Sequence, residues 1–185
     1  MKKLLVPFIL LSMSLFIAAC NSDEGSTEET DNETNTESTE ETTKSDEMEM
    51  KSALLDYQME IINTVNANDS AIYAFEAAKA KEEDKPSDEE IAKIKTDAEA
   101  AAKTVAEDVH ALEVPAALDA KNEEIQGALD DLAKSYETRA ANLSDEANAE
   151  YTESDEQFAA FEEKMAAVYE EAGLTKPSFS ADIVD

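Results

Sequence analysis

Apolar positions fall into three regimes along the chain. Residues 4–19 form a 16-residue run interrupted only by Pro7, Ser12 and Ser14. Residues 21–47 contain no Ala, Val, Ile, Leu, Met, Phe, Trp, Tyr or Cys at all. From Met48 onward apolar side chains recur every three or four residues, the spacing that lines one face of an α-helix. A first helix is expected over about 48–83, with Leu54, Ile61, Val65, Ile72 and Phe75 on one stripe and Leu55 and Ile62 widening it. Its weak point is the polar patch 66–70. A second helix, about 88–112, carries Ile91, Ile94, Ala98, Val105, Val109 and Leu112. A third stripe runs through Leu118, Ile125, Leu129, Leu132, Tyr136, Leu143, Ala147 and Tyr151, and a fourth through Phe158, Phe161, Met165, Val168 and Ala172.

Punctuation divides these stripes. In KPSDEE, Pro86 disfavours helix at Lys85, and Ser87 with Glu90 three residues later makes a capping box that opens the second helix. In EVPAA, Pro115 closes the second helix and is acceptable in the first turn of the third. Gly173 ends the last helix. The boundary between the third and fourth helices is weaker, because the stripe keeps its register from Leu118 to Ala172, and a single helix there would span about 83 Å. Such a helix would outrun its partners, so a break is expected between Leu143 and Ser154, with Ser154 and Gln157 as a second capping box. The tail GLTKPSFSADIVD is read as non-helical, with Phe179 folding back on the bundle as a lid alongside Leu174, Ile183 and Val184. The expected fold is therefore all-α: an up-and-down bundle of three to four antiparallel helices, with the coiled-coil-like crossings of about 20° that heptad spacing favours.

The first regime changes the picture of domains. Lys2 and Lys3 precede the apolar run, and small residues close it. A permanent membrane span needs roughly 20 apolar residues, so this run fits a cleaved signal peptide over 1–19 better than an anchor. The four residues Ile17-Ala18-Ala19-Cys20 resemble the lipobox of bacterial lipoproteins. That resemblance implies cleavage between Ala19 and Cys20, a diacylglyceryl (palmitate-type) thioether on Cys20, and attachment to the outer face of a cell membrane. Residues 114–136, VPAALDAKNEEIQGALDDLAKSY, resemble small helical lipoproteins of Gram-positive bacteria, which adds weight to a bundle and to a Gram-positive type of envelope. Cys20 is the only cysteine, so its acylation leaves no thiol for a disulfide, a metal or redox chemistry.

Residues 20–47 are read as the lipidated cysteine and an unstructured tether. Eleven acidic residues against Lys44 alone give about −10 over 21–47, and nothing there can form a core. A flexible coil of that length would span roughly 30 Å, and more with charge repulsion. The acidic pattern lacks the Asp-x-Asp-x-Asp-Gly and closing Glu of a calcium loop. Residues 48–185 form the helical domain. The formal charge of the whole chain is −30, and loss of Lys2 and Lys3 takes it to about −32. Nucleic acid is excluded as a partner, since phosphate backbones are bound by Lys/Arg clusters that this chain lacks.

Candidate chemistry is sparse. Glu107-x-x-His110 has the spacing used by di-iron carboxylate bundles, but His110 is the only histidine, so the second Glu-x-x-His those sites need is missing and no metal is expected. No glycine-rich elbow or phosphate loop can be built from Gly25, Gly127 and Gly173, and no catalytic residues or cofactor are expected. The tyrosines 57, 73, 136, 151 and 169 sit at core-compatible spacings. Arg139, the only arginine, lies one position off the stripe and suits a boundary ion pair or a clamp on a carboxylate. The leading expectation is a non-enzymatic, lipid-anchored envelope module whose head binds a protein or wall component. A solute- or cation-binding lipoprotein is the alternative, and an enzyme ranks last.

Overall fold

A computed structural model of the protein describes residues 37–183 except residue 147, with side chains described from Lys44 onward. The signal segment, the lipobox with Cys20, residues 21–36, Ala147 and Val184 lie outside the described residues. The fold is all-helical: α1 (Glu37–Asn66), α2 (Ser70–Lys79), α3 (Asp88–His110), a 3-10 segment (Ala116–Lys121), α4 (Asn122–Asn142), α5 (Thr152–Glu171) and a short α6 (Phe179–Asp182). Successive helices pack as neighbours, α2 on α3, α3 on α4 and α4 on α5. The ring closes where the Tyr169 hydroxyl of α5 donates to the Leu54 carbonyl of α1 (2.6 Å). This is the up-and-down bundle the stripes predict.

The core follows the predicted faces. Leu54, Ile61 and Val65 of α1, Val105 and Val109 of α3, Ile125 and Leu132 of α4, and Phe161 and Met165 of α5 are fully buried in one cluster. A second, smaller cluster joins Phe75, Ala78, Ile91, Ala98 and Leu143 at the other end of the bundle. The Ser87 box forms as expected: the Ser87 N–H donates to Glu90 Oε2 (2.8 Å) and the Glu90 N–H to Ser87 Oγ (3.3 Å). These bonds from Ser87, backbone first, hold the Glu90 carboxyl below the usual carboxylate range. At the end of α5, Gly173 has φ 70°, its N–H donates to the Glu170 carbonyl (3.0 Å) and the Leu174 N–H to the Tyr169 carbonyl (2.8 Å). That is a Schellman cap, which needs a left-handed residue.

Several boundaries differ from expectation. Helix α1 begins at Glu37, inside the stretch read as tether, because extending an existing helix needs no new nucleus and acidic residues are favoured in a first turn. The single first helix is instead two, broken at residues 67–69, where Asn68 Nδ2 donates to Asp108 Oδ2 (2.9 Å) and Asn66 Nδ2 to the Asp182 carbonyl (3.0 Å). Asn and Asp compete for backbone partners and so favour such a break. The expected extension of the first helix to residue 83 stops at Lys79. The third helix opens with a 3-10 turn after Pro115. The break between Leu143 and Ser154 is present, but α5 starts at Thr152 and Ser154 does not cap it; Ser154 is buried and accepts from Arg139. Leu55, placed in the buried stripe, is half exposed.

The tail is also not wholly irregular, since Phe179–Asp182 makes one helical turn. Phe179 is fully buried, with its ring centroid 4.7 Å from that of Phe161. Ser180 N–H donates to Glu162 Oε1 (2.9 Å), and the Tyr73 hydroxyl donates to the Ile183 carbonyl (2.6 Å). The fold-back thus has an apolar anchor and polar ties on both sides.

Candidate functional site

The Glu107-x-x-His110 pair does not assemble into a ligand set. His110 occupies the last turn of α3, about half exposed, with Nδ1 3.9 Å from Asp130 Oδ1 and Nε2 3.5 Å from Glu137 Oε1 on α4. Glu107 is exposed. Among the described residues no group of three or more His, Cys, Asp or Glu is placed to hold a metal ion.

Arg139 marks a different place. Its guanidinium Nε donates to Ser154 Oγ (3.1 Å) and Nη2 to Asp155 Oδ1 (2.6 Å), and the guanidinium carbon lies 4.2 Å from the Tyr151 ring centroid. These contacts cross from α4 to the start of α5, so the α4–α5 corner itself orients the cation. The ion pair that its sequence position suggested is formed, with Asp155 as partner. Beside it opens a cleft of about 230 Å³ lined by residues of α2, α4, α5 and the C-terminal turn. Asp69 and Tyr73 come from the start of α2, Tyr136 and Arg139 from one face of α4, Ser154 and Phe158 from α5, and Ser180 and Ile183 from the tail.

Asp69 is the least expected member. It stands at the N-cap position of α2, where an aspartate ordinarily accepts from the first-turn N–H groups, yet its carboxylate makes no cap bond. It is only 5% exposed and lines the cleft. The Tyr136 hydroxyl titrates well above an ordinary tyrosine, first because it is buried, then because Tyr73 and Asp69 are close, with Arg139 opposing. Tyr73, Asp69 and Arg139 thus all act electrostatically on Tyr136, and all four line one cleft.

A second polar cluster locks the same corner. Lys79, at the end of α2, is 5% exposed and donates to the carbonyls of Ser144 (3.0 Å) and Glu146 (3.3 Å) and to the Tyr151 hydroxyl (3.1 Å), while pairing with Glu76 Oε2 (2.9 Å). Tyr151 in turn donates to Glu76 Oε1 (2.9 Å). Burial pushes the Lys79 pKa down, but its bonds to Glu76 and Tyr151 outweigh that and the net shift is upward. The ammonium also sits 4.8 Å from the Phe75 ring centroid. A buried lysine saturated in this way is a structural tie and offers nothing to a ligand.

No family model matches the chain, and no curated protein or solved structure is significantly similar to it. Sequence reasoning singles out Arg139 and Tyr136 but not Asp69, which it treats only as part of a weak patch. The available signal is an N-cap aspartate at a helix break, one turn from the Ile72 and Phe75 stripe. Nor does it single out Lys79, although that residue follows Phe75 by four and so falls on the apolar face of its own helix.

Proposed function

We propose that this protein is a lipid-anchored extracytoplasmic lipoprotein whose helical head is a non-enzymatic binding or adaptor module of the cell envelope. The observation that carries the reading is the box Ile17-Ala18-Ala19-Cys20, placed between a basic-then-apolar leader and an acidic run. Two acyl chains on Cys20 suffice for stable anchoring, since each buried methylene adds about 0.8 kcal/mol. The membrane is thus one partner, through the lipid, and an envelope protein or wall component on the outer face of a Gram-positive type of membrane is the other. Among the described residues no helix is long and apolar enough to cross a membrane. An adaptor role is supported by Met48, Leu55 and Met59, which follow one another at helical spacing on α1 and are 72%, 50% and 54% exposed. Methionine-bearing apolar stripes of this kind are what partner helices cover.

The test is metabolic labelling with a palmitate analogue, with the natural chain compared against Cys20→Ala, followed by crosslinking in cells and mass spectrometry. Label on the natural chain alone, with envelope proteins crosslinked, is the expected result. An unlabelled natural chain that partitions into the aqueous phase would overturn the reading. A second form of it, a lipoprotein that binds a small solute, is favoured by the Arg139 cleft.

A further inference from the structure

We infer that the Arg139 cleft binds a small zwitterion, with the ligand's carboxylate on the Arg139 guanidinium and its ammonium toward Asp69, Tyr73 and Tyr136. The inference rests on the solute-binding form of the proposed function. At about 230 Å³ the cleft is smaller than the roughly 300–1,000 Å³ of sites for drug-sized ligands, so it suits a molecule of amino-acid or betaine size.

The charges choose the ligand class. Guanidinium has five N–H donors in a planar fork that matches a carboxylate, and Ser154 and Asp155 account for two of them. Stacking on Tyr151 and the tie to Ser154 fix the plane of that fork in advance, which lowers the ordering cost of binding. The same cleft is lined by the buried carboxylate of Asp69, by Tyr73 and Tyr136 and by the Phe158 ring. Carboxylate, hydroxyl and aromatic groups are together a setting for an ammonium group.

A simple anion would approach against a formal charge of −30 and then meet Asp69. A simple cation would be drawn in by Asp69 but would leave the remaining N–H donors of Arg139, which is paired with Asp155, unused. A molecule carrying both charges uses the Arg139 N–H donors that Ser154 and Asp155 leave and the Asp69 carboxylate at once, and its zero net charge avoids the repulsion that excludes anions.

The experiment is calorimetric titration of the full chain in detergent with glycine and with glycine betaine, using acetate and tetramethylammonium as the two half-ligands. We expect one-to-one saturation by at least one zwitterion and none by acetate. Preference for glycine means that the ammonium is held by hydrogen bonds to Asp69 and the tyrosines, and preference for betaine means that it is held by aromatic faces. Arg139→Gln weakens the zwitterion at least tenfold and does not weaken tetramethylammonium, and Asp69→Asn weakens both. Because a variant at buried Asp69 can fail to fold, Ser180→Trp at the exposed rim gives a second check: it blocks the cleft with Tm unaltered.

No saturation by either zwitterion up to about 50 mM, well beyond a Kd of ~1 mM, overturns the inference. So does affinity indifferent to Arg139→Gln, or acetate binding as tightly as the zwitterions. If the titrations fail while Cys20 is labelled and crosslinks form, only this inference falls. If labelling fails while titrations succeed, only the anchor reading falls.

Discussion

Replacing Phe179 with alanine measures how much the C-terminal turn contributes to the bundle. The side chain is fully buried, its ring centroid is 4.7 Å from that of Phe161, and Ile183 one turn later is 2% exposed. Phe→Ala in a packed interior costs about 3–5 kcal/mol, transfer and cavity terms together. An unfolding entropy of about 2.1 cal/mol/K per residue over roughly 150 residues is ~0.3 kcal/mol/K, so Tm should fall by about 10–15 °C. Deleting the chain from Pro177 also removes Ile183 and the acceptors of Tyr73 and Asn66, and should cost at least as much. Circular dichroism melts at neutral pH are sufficient, with Ser180→Ala as a control that should move Tm by no more than about 1–2 °C, since Ser180 is exposed. A Tm change below about 3 °C for Phe179→Ala, or an unchanged Tm after the deletion, would refute the claim that the tail is part of the core.

Three further outcomes rest on polar groups. Tyr57 and Tyr169 are both about 1% exposed, but the Tyr57 hydroxyl has no hydrogen-bond partner among the described residues, whereas that of Tyr169 donates to the Leu54 carbonyl. Tyr57→Phe should therefore be neutral or stabilising by up to ~1 kcal/mol and Tyr169→Phe destabilising by ~1 kcal/mol in urea melts; the reverse order would count against the bonding described. Ser87→Ala should cost about 1 kcal/mol by loss of the α3 cap, read as a lower Tm and faster amide exchange in residues 88–90. On the alkaline side, the Lys79 pKa lies above its ordinary 10.5, and burial raises Tyr57, with help from Glu60, to about 12. Both groups hold a proton more tightly when folded, so their contribution is complete below about pH 10 and is lost as pH rises through the folded values. Tm should be level from pH 7 to about 10 and then fall, and Lys79→Met should lower Tm at pH 7 and flatten part of that fall; an equal Tm for both chains across the range would be inconsistent with the tie.

Periodicity and punctuation make the frame legible because each rests on local chemistry. Ser87 and Glu90 satisfy each other within one turn, Gly173 is the residue that a left-handed cap needs, and a stripe such as Leu54, Ile61 and Val65 can be buried only on one side. What the pattern cannot supply is the fate of polar residues whose partners come from distant sequence. Lys79 reaches carbonyls some 65 residues away, and Arg139 takes its hydroxyl from a serine that local rules assign to a helix cap. The early start of α1 escapes the pattern for a related reason: propagation from a packed segment leaves no apolar signature in the residues it recruits.

Those distant bonds also explain why the cleft sits where it does. Tyr151 belongs to both polar clusters, since its ring stacks under the Arg139 guanidinium and its hydroxyl joins Lys79 and Glu76. The α4–α5 corner that carries it is a loop, and loops have few apolar contacts to fix them. Here the buried ammonium of Lys79 holds the loop carbonyls of Ser144 and Glu146 against α2, which gives the corner the rigidity that its sequence alone would not. A guanidinium stacked on a tyrosine anchored in this way has one orientation, and the break at residues 67–69 brings Asp69, at the start of α2, into the lining of the same cleft. The break in the first helix and the aspartate buried at its restart line the cleft, while the lysine on the apolar face, at the other end of α2, acts on it only through Tyr151 and the α4–α5 corner. Helical repeats hold the molecule together, and the places where the repeat fails shape its cleft.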